Sequence, residues 1–528
     1  MTSKNMILLL DAHQNYVTEH NYPLFQAISG TYIPLLNMLR SLENDGVQFQ
    51  LALVLSAPLC TMLTDPFVQQ QYIEWLDKRI DLGHRELERC RDSVKFCNEV
   101  KICLEKVKQD KIDFTEIYGQ NLVKHFSEYA KKGYLELLAT TGTRMYIPHY
   151  SDMPEVLNAQ IEIGLYAHKY FFGVPSNGFW LPYLGYVSGV EKVLRNYGID
   201  YTVLDSRSML FAEPEPKNGI FGPARFENSV VMFGRDPESQ LTGLEYFASN
   251  PVYRDQNRDI GFDLRPEDLS SFYREGSGRQ PTGFRYWHRG GADIQSDSLE
   301  NTEFLYDYEK ASEQAELDAA AFLDRKSRRL SEAAGLLDTE NVSLVCAYDA
   351  NILGQQWFEG VYWLEQVIRK SASAGITCTG FSSLLKKKGS LLSYQKLVPY
   401  PASAAGDGYG EQLLDNTNSW MVRYAHKACE RMVDLADLFP SETGLKARLL
   451  NLGARELLLS LSAEWAEMIH DGTDPAFAAR RFKEGIVAFT MVFDSLGSNT
   501  VSTEWLTNLE QEHPIFPWMN YRIFCKKH

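Results

Sequence analysis

The sequence predicts an α/β protein: an incomplete (β/α)7 barrel with a helical insertion and an all-helical C-terminal domain. Three observations carry this reading. Short continuous apolar runs alternate with helical stripes through the first 400 residues, polar residues close several of those runs, and beyond about residue 418 only the helical period remains. Apolar strands alternating with helices imply a parallel sheet covered on both faces. Polar groups at strand C-terminal ends are where such a barrel builds its site.

The first element is Met6 to Leu10, too short for a helix and closed by Asp11-Ala12-His13. Ile33, Leu36, Met38, Leu39 and Leu42 then share a helical face, and Gln48 to Leu55 reads as a second buried strand. Charged amphipathic sequence follows, with Trp75, Ile80, Leu87, Val94, Ile102 and Val107 as its apolar marks. Further strands are expected at 135–140, 178–181, 201–204, 229–233 and 342–347, about seven in all. Residues 210–330 are rich in Gly, Pro and Arg and predict loops with one helix near 308–334. At the far end Leu457, Leu461, Trp465 and Met468 share one face, as do Ala478, Phe482, Ile486, Phe489 and Phe493, which is a helical pattern. The expected organisation is a barrel over 1–400, a helical insertion at 60–132, and a helical domain over 415–528 packed across the barrel's C-terminal face.

Bulk properties narrow the function. The 528 residues, 44% hydrophobic and 23% charged, are those of a globular protein of two or three domains. A formal charge of −16 argues against a general nucleic-acid partner, which needs a basic surface; a neutral polysaccharide is indifferent to it. The eight cysteines show no C-x-x-C pair and no metal-ligand spacing, so reduced core thiols are expected and no metal or cofactor. No run approaches a membrane span or a signal-peptide core. The expected location is cytoplasmic, with no membrane partner.

Three segments carry candidate chemistry. His13 follows the first strand; a histidine there serves structure more often than chemistry, but a barrel mouth favours chemistry. Asp349, in Cys346-Ala347-Tyr348-Asp349-Ala350-Asn351, closes a buried strand. Partial burial would raise its pKa toward a general-acid role, and a helix N-cap is an equally good reading of the spacing. The third segment is Gly178-Phe179-Trp180-Leu181-Pro182-Tyr183-Leu184-Gly185-Tyr186.

Together these segments resemble glycoside hydrolase family 57, in particular its 1,4-α-glucan branching enzymes. The third segment is similar to that family's G-x-W-L-P-E-x-x-Y block, in which the glutamate is the catalytic nucleophile; here Tyr183 stands in its place. Asp11 to Val17 resembles H-x-H-x-P-Y-V, matched at His13, Tyr16 and Val17. Cys346 to Gly360 resembles Y-D-x-E-L-F-G-H-W-W-F-E-G, whose aspartate is the general acid/base, and matches at Asp349, Gly354, Trp357, Phe358, Glu359 and Gly360. Asn351 and Gln355 replace its glutamate and histidine. Gly234 to Ser239, Arg258 to Asp263, Ala454 to Leu459 and Phe516 to Phe524 are similar to further branching-type segments, so the resemblance spans nearly the whole chain.

The departures cluster in the implied site. Arg144 and Arg207 stand where the family has histidines, Ala405 where a tryptophan lies under a bound glucose, and Glu464 where the C-terminal domain has a substrate-binding aspartate. Phe247 is nearest to the lid tyrosine. The resemblance implies Asp349 as general acid/base, Tyr183 at the nucleophile position, and His13, Trp180, Arg258, Glu464, Arg144, Arg207, Gln355 and Trp357 around the substrate.

A retaining glycosidase needs two carboxyl groups about 5–5.5 Å apart. A tyrosine with a reference pKa near 10 is almost wholly neutral at pH 7 and attacks poorly without an activating base. Little or no branching activity is therefore expected. One alternative is a Tyr183 nucleophile acting on an anionic or phosphorylated sugar gripped by Arg144 and Arg207. Another is a non-catalytic carbohydrate-binding protein with a groove lined by Trp180, Trp357 and Tyr186. His13, Tyr183, Asp349, Arg144 and Arg207 are expected to converge on one cleft. The expected partner is an α-glucan or an anionic sugar; the oligomeric state stays open.

Overall fold

The computed structural model describes residues 3–19, 21–239, 244–269, 272–274, 278–291, 302–337, 341–385, 392–498 and 500–526. Parts of the loop region expected over 210–330 lie outside the described residues.

Seven strands run parallel, side by side: β10 (Asn341–Asp349), β1 (Ser3–Ala12), β2 (Leu51–Leu55), β3 (Leu135–Thr140), β4 (Gly178–Trp180), β5 (Tyr201–Leu204) and β7 (Val231–Gly234). Two short strands absent from the sequence reading join them: β6 (Ala224–Arg225) antiparallel to β7, and β11 (Thr377–Cys378) parallel to β1. β8 (Tyr273–Arg274) and β9 (Gly278–Arg279) form a separate ribbon. The sheet curls until its edges meet at one isolated bridge, where the Asp236 N–H donates to the Val345 carbonyl at 2.8 Å. That single link is what makes the (β/α)7 barrel incomplete.

The period of two divides the strand residues between two cores. Ile7, Leu9, Ala52, Val54, Leu138, Val203, Val231, Phe233, Val345 and Ala347 form one cluster inside the barrel, closed below by Phe381 and Tyr394. The alternate residues Met6, Leu8 and Leu10 pack outward against the helices. Both faces of each strand are apolar because both are covered. Each fully buried Leu or Ile in these clusters contributes about 1.5–3 kcal/mol.

Between β2 and β3 stand the helices Ala57–Thr64, Pro66–Arg89, Val94–Ile112 and Leu122–Lys131. Pro66 sits in the first turn of its helix, and the Asp65 carboxylate accepts the Phe67 N–H at 2.8 Å, a sound N-terminus. Its buried stripe runs Val68, Tyr72, Trp75, Leu76, Arg79, Leu82. Arg79 occupies a place in that stripe where an apolar residue is expected.

After Cys378 the described residues form no further strand beyond isolated bridges at Lys396 and Val398. The last hundred residues are helical: Ser419–Leu438, Gly444–Ser460, Glu464–Asp471, Pro475–Ser498 and Thr503–Glu512. These helices touch the loops that leave the C-terminal ends of β1 and β3. Thr143 Oγ1 donates to the Leu458 carbonyl at 2.5 Å, Ser462 Oγ to Asn15 Oδ1 at 2.6 Å, and the Ala463 N–H to the Arg144 carbonyl at 3.3 Å. The helical domain thus lies across the face where a barrel presents its chemistry. Among the described residues no helix is long and apolar enough to cross a membrane.

Candidate active site

Parallel pairing of β1 with β10 sets the site, because their register aligns Asp11 with Asp349. Two carboxyl groups therefore emerge side by side where the strands end. Asp11 is held from the next strands. Trp180, the last residue of β4, donates its indole N–H to Asp11 Oδ2 at 3.0 Å, and Arg144 Nη1 lies 3.1 Å from the same oxygen. Arg144 adopts φ +55°, rare for a residue with a side chain. A conformation this costly persists only where the surroundings enforce it.

Tyr183 is strained in the same way, with φ +54° and Leu184 after it at +51°. Its ring lies under the Arg144 guanidinium, 5.0 Å from carbon to centroid, within a cluster of Tyr146, Ala405, Leu413 and Ala463. Its hydroxyl donates to Glu467 Oε2 at 2.6 Å, and Gln412 Nε2 donates to the other oxygen of Glu467 at 3.2 Å. Burial first, then the Glu467 charge, push the phenol well above its ordinary value of 10. Burial raises the Glu467 carboxyl too, against the opposing effects of the Tyr183 hydrogen bond and Arg144.

The remaining acids behave in opposite ways. Burial pushes Asp349 up to about 6; Arg144 and the Asn351 N–H at 2.8 Å oppose that, while Asp11 and Glu464 add to it. Asp349 is thus a cap of the short helical turn after β10 whose carboxyl is raised toward the range a proton donor needs. Glu464, reaching in from the C-terminal domain, is also raised by burial, but His13 and Arg144 outweigh this and hold it below the usual glutamate range. Its Oε2 lies 3.2 Å from His13 Nε2, an ion-pair contact rather than an aligned hydrogen bond. Neighbouring acids pushed apart in this way divide acid from base roles.

His13, Arg144, Tyr183, Asp349, Trp180 and Glu464 belong to one network of contacts and charges. The other expected site residues make their described contacts outside that network. Arg207 donates Nη1 to the Ser403 carbonyl at 3.1 Å and keeps Nε 3.9 Å from Asp205. It braces the 403–408 loop, and no described contact ties it to Asp349. Gln355 donates to the Pro23 carbonyl at 3.1 Å. Arg258 is buried with its guanidinium 4.6 Å from the centre of the Trp287 ring.

Two expectations need correction. A groove lined by Trp180, Trp357 and Tyr186 is not formed. Trp180 lies in the barrel's interior cluster, and Tyr186 is buried against Phe226. Trp357 is fully enclosed by Phe247, Tyr253 and Trp363. None of the three offers a ring face to a sugar. Nor does Arg144 stand free to grip an anionic sugar, because it faces Asp11, Asp349, Glu464 and Glu467. Asp11 and Glu467 are the residues the sequence reading did not assign. Glu467 follows Glu464 by three positions on one helix, a spacing that puts both on one face. Among the described residues, no group of three or more His, Cys, Asp or Glu could hold a metal ion.

Comparison with known proteins agrees with this fold. Residues 7–343 match the family model for glycosyl hydrolase family 57, and residues 424–524 match that for the C-terminal domain of 1,4-alpha-glucan branching enzyme. A 1,4-alpha-glucan branching enzyme of Thermococcus kodakarensis is 25% identical over 504 residues, 90% of this chain and 71% of that one. The crystal structure of the alpha-amylase AmyC from Thermotoga maritima superposes with a TM-score of 0.89 at 28% identity, covering 100% of both chains. The branching enzyme from Pyrococcus horikoshii gives 0.85 at 22% identity, covering 100% of this chain and 97% of that one; at that identity it speaks to the fold alone.

Proposed function

The chain belongs to glycosyl hydrolase family 57, and from that premise we propose that it binds α-glucan at the barrel mouth while carrying out little or no branching of it. The observation that carries this reading is the state of Tyr183: a buried, protonated phenol donating to Glu467, at the position where the family resemblance puts the attacking carboxylate.

Attack on an anomeric carbon would require Tyr183 to surrender that proton to Glu467. Reference values near 10 for a phenol and 4.3 for a glutamate differ by about 6 units, or roughly 8 kcal/mol against transfer. Burial of Tyr183 widens the gap and burial of Glu467 narrows it. Asp349, pushed up to about 6, remains able to protonate a leaving oxygen, but protonation without a nucleophile supplies only half of a retaining mechanism. Removing the covalent partner from such a pair usually costs several orders of magnitude in rate.

An anionic sugar with Tyr183 as nucleophile fits less well. Arg144, the cation nearest Tyr183, already faces Asp11 at 3.1 Å, and an anion would have to compete with it among four acids. The test is isothermal calorimetry with maltoheptaose beside a branching assay on amylose. Saturable binding with no branching is the expected outcome; no glucan binding at all would reject the reading. Tyr183→Glu should restore weak branching only, since it places a new carboxyl beside Glu467 and leaves Asn351, Gln355 and Ala405 unchanged.

A further inference from the structure

The helical insertion meets the barrel around a cavity of about 170 Å³, walled by Trp75, Arg79, Lys106, Arg254, Arg285 and Gln355 among others. Four cations line it, and three have acids of their own. Lys106 pairs with Asp110, Arg254 with Glu99 at 3.0 Å, and Arg285 keeps Nε 3.5 Å from Asp259 while donating Nη1 to Gln256. Arg79 has none. Its residue is 7% exposed, yet its guanidinium makes no hydrogen bond or ion pair among the described residues, and its Nε is fully enclosed. It is held only by ring faces, 4.5 Å from the centre of Trp75 and 5.9 Å from that of Phe284. The Trp75 indole N–H is likewise buried without an acceptor.

A guanidinium carries five N–H donors and a permanent charge. Buried donors are nearly always satisfied, and each exception calls for an explanation. Water could accept from the donors but could not balance the charge, which is costly to bury unpaired. The missing component is an acceptor that is also an anion. The cavity exceeds what a chloride ion needs, and its cations approach from four elements: the helices Pro66–Arg89 and Val94–Ile112 and the loops bearing Arg254 and Arg285. A tetrahedral group with four oxygens offers acceptors in the several directions from which these cations approach, whereas a flat carboxylate offers them in one plane.

We propose that this cavity binds a phosphate group through Arg79, either as inorganic phosphate or as the phosphoryl end of a sugar phosphate. The Gly354–Gln355 wall continues the segment that begins at Asp349, so an occupant touches the backbone carrying the candidate acid. That backbone has little room to shift: Gly354 adopts φ +101°, and a Cβ there would overlap the Gly30 carbonyl.

The experiment is calorimetry on the full chain with orthophosphate and, separately, glucose 1-phosphate, against sodium chloride at matched ionic strength. Wild type should bind phosphate saturably, and Arg79→Met should weaken it at least tenfold. Arg79→Lys, which keeps the charge but removes the planar fork, should weaken it several-fold and serves if Arg79→Met does not fold. Tighter binding of glucose 1-phosphate than of orthophosphate would identify a sugar phosphate as the ligand; equal binding would identify free phosphate. Maltoheptaose affinity should be unchanged in both variants, so this site and the glucan reading fail separately. No saturable heat with either phosphate, or equal affinity in wild type and Arg79→Met, would overturn the proposal.

Discussion

Arg144 and Arg79 are both buried, and each guanidinium lies against an aromatic ring, 5.0 Å from Tyr183 and 4.5 Å from Trp75. They differ in one respect. Arg144 has Asp11 at 3.1 Å and further acids around it, whereas Arg79 makes no ion pair or hydrogen bond among the described residues and shares the charge of Asp110 with Lys106. A buried cation with its counter-charge inside the fold is a structural part; one without it is completed by something from outside. By this comparison, the candidate catalytic cleft is electrostatically closed upon itself, and the seam between insertion and barrel is not.

The sharpest way to break the comparison is to delete each arginine in turn. Arg144→Met strands Asp11 beneath Trp180 and should cost about 3–5 kcal/mol, the usual penalty for removing one partner of a buried pair. Arg79→Met, measured in phosphate-free buffer, should cost no more than about 1 kcal/mol, the worth of its ring contact, and could even stabilise by removing an unpaired charge. Urea unfolding of both variants checks this; equal losses would erase the distinction.

Asp349 tests the cleft through pH. Its folded pKa is raised from about 3.8 to about 6, so the fold favours its protonated form. That contribution is fully present below about pH 4 and is lost as pH rises through 6. Asp349→Asn, a neutral isostere, should therefore be more stable than wild type above pH 6, by up to about 2–3 kcal/mol, with the difference vanishing near pH 4. Melting curves across that range decide it. A difference that grows toward low pH would mean the environment lowers this pKa instead.

Smaller still is the link between the domains. Tyr183→Phe removes the hydrogen bond to Glu467 while Gln412 still serves the other oxygen, and should cost about 0.5–1.5 kcal/mol. A loss above about 3 kcal/mol would make the bond a major tie between barrel and helical domain.

How much of this was legible in the sequence follows from the range of the interactions. Met6–Leu10 and Val342–Ala347 announce buried strands because both faces of each are apolar, and the barrel follows from repeating that signal. Two-residue strands such as β6 and β11 carry too few side chains for any period. Asp349 and Tyr183 stood out through their motifs. Glu467 did not, since its partner lies 284 positions away and only the fold brings them together. Trp180 and Trp357 match a sugar-binding pattern by identity, but identity does not reveal that one plugs the barrel and the other sits among aromatic rings. Arg79 was hidden among the charges of an amphipathic helix, where a buried position differs from an exposed one only by its phase in the turn.

On the proposed reading, the cleft holds a proton donor without a working nucleophile. That reading is tested most directly by counting branches. Amylose is incubated with wild-type protein and with Asp349→Asn, and chains released by a debranching enzyme are quantified in each. Wild type should make no more branches than Asp349→Asn. Branches formed by wild type and abolished in Asp349→Asn would contradict it.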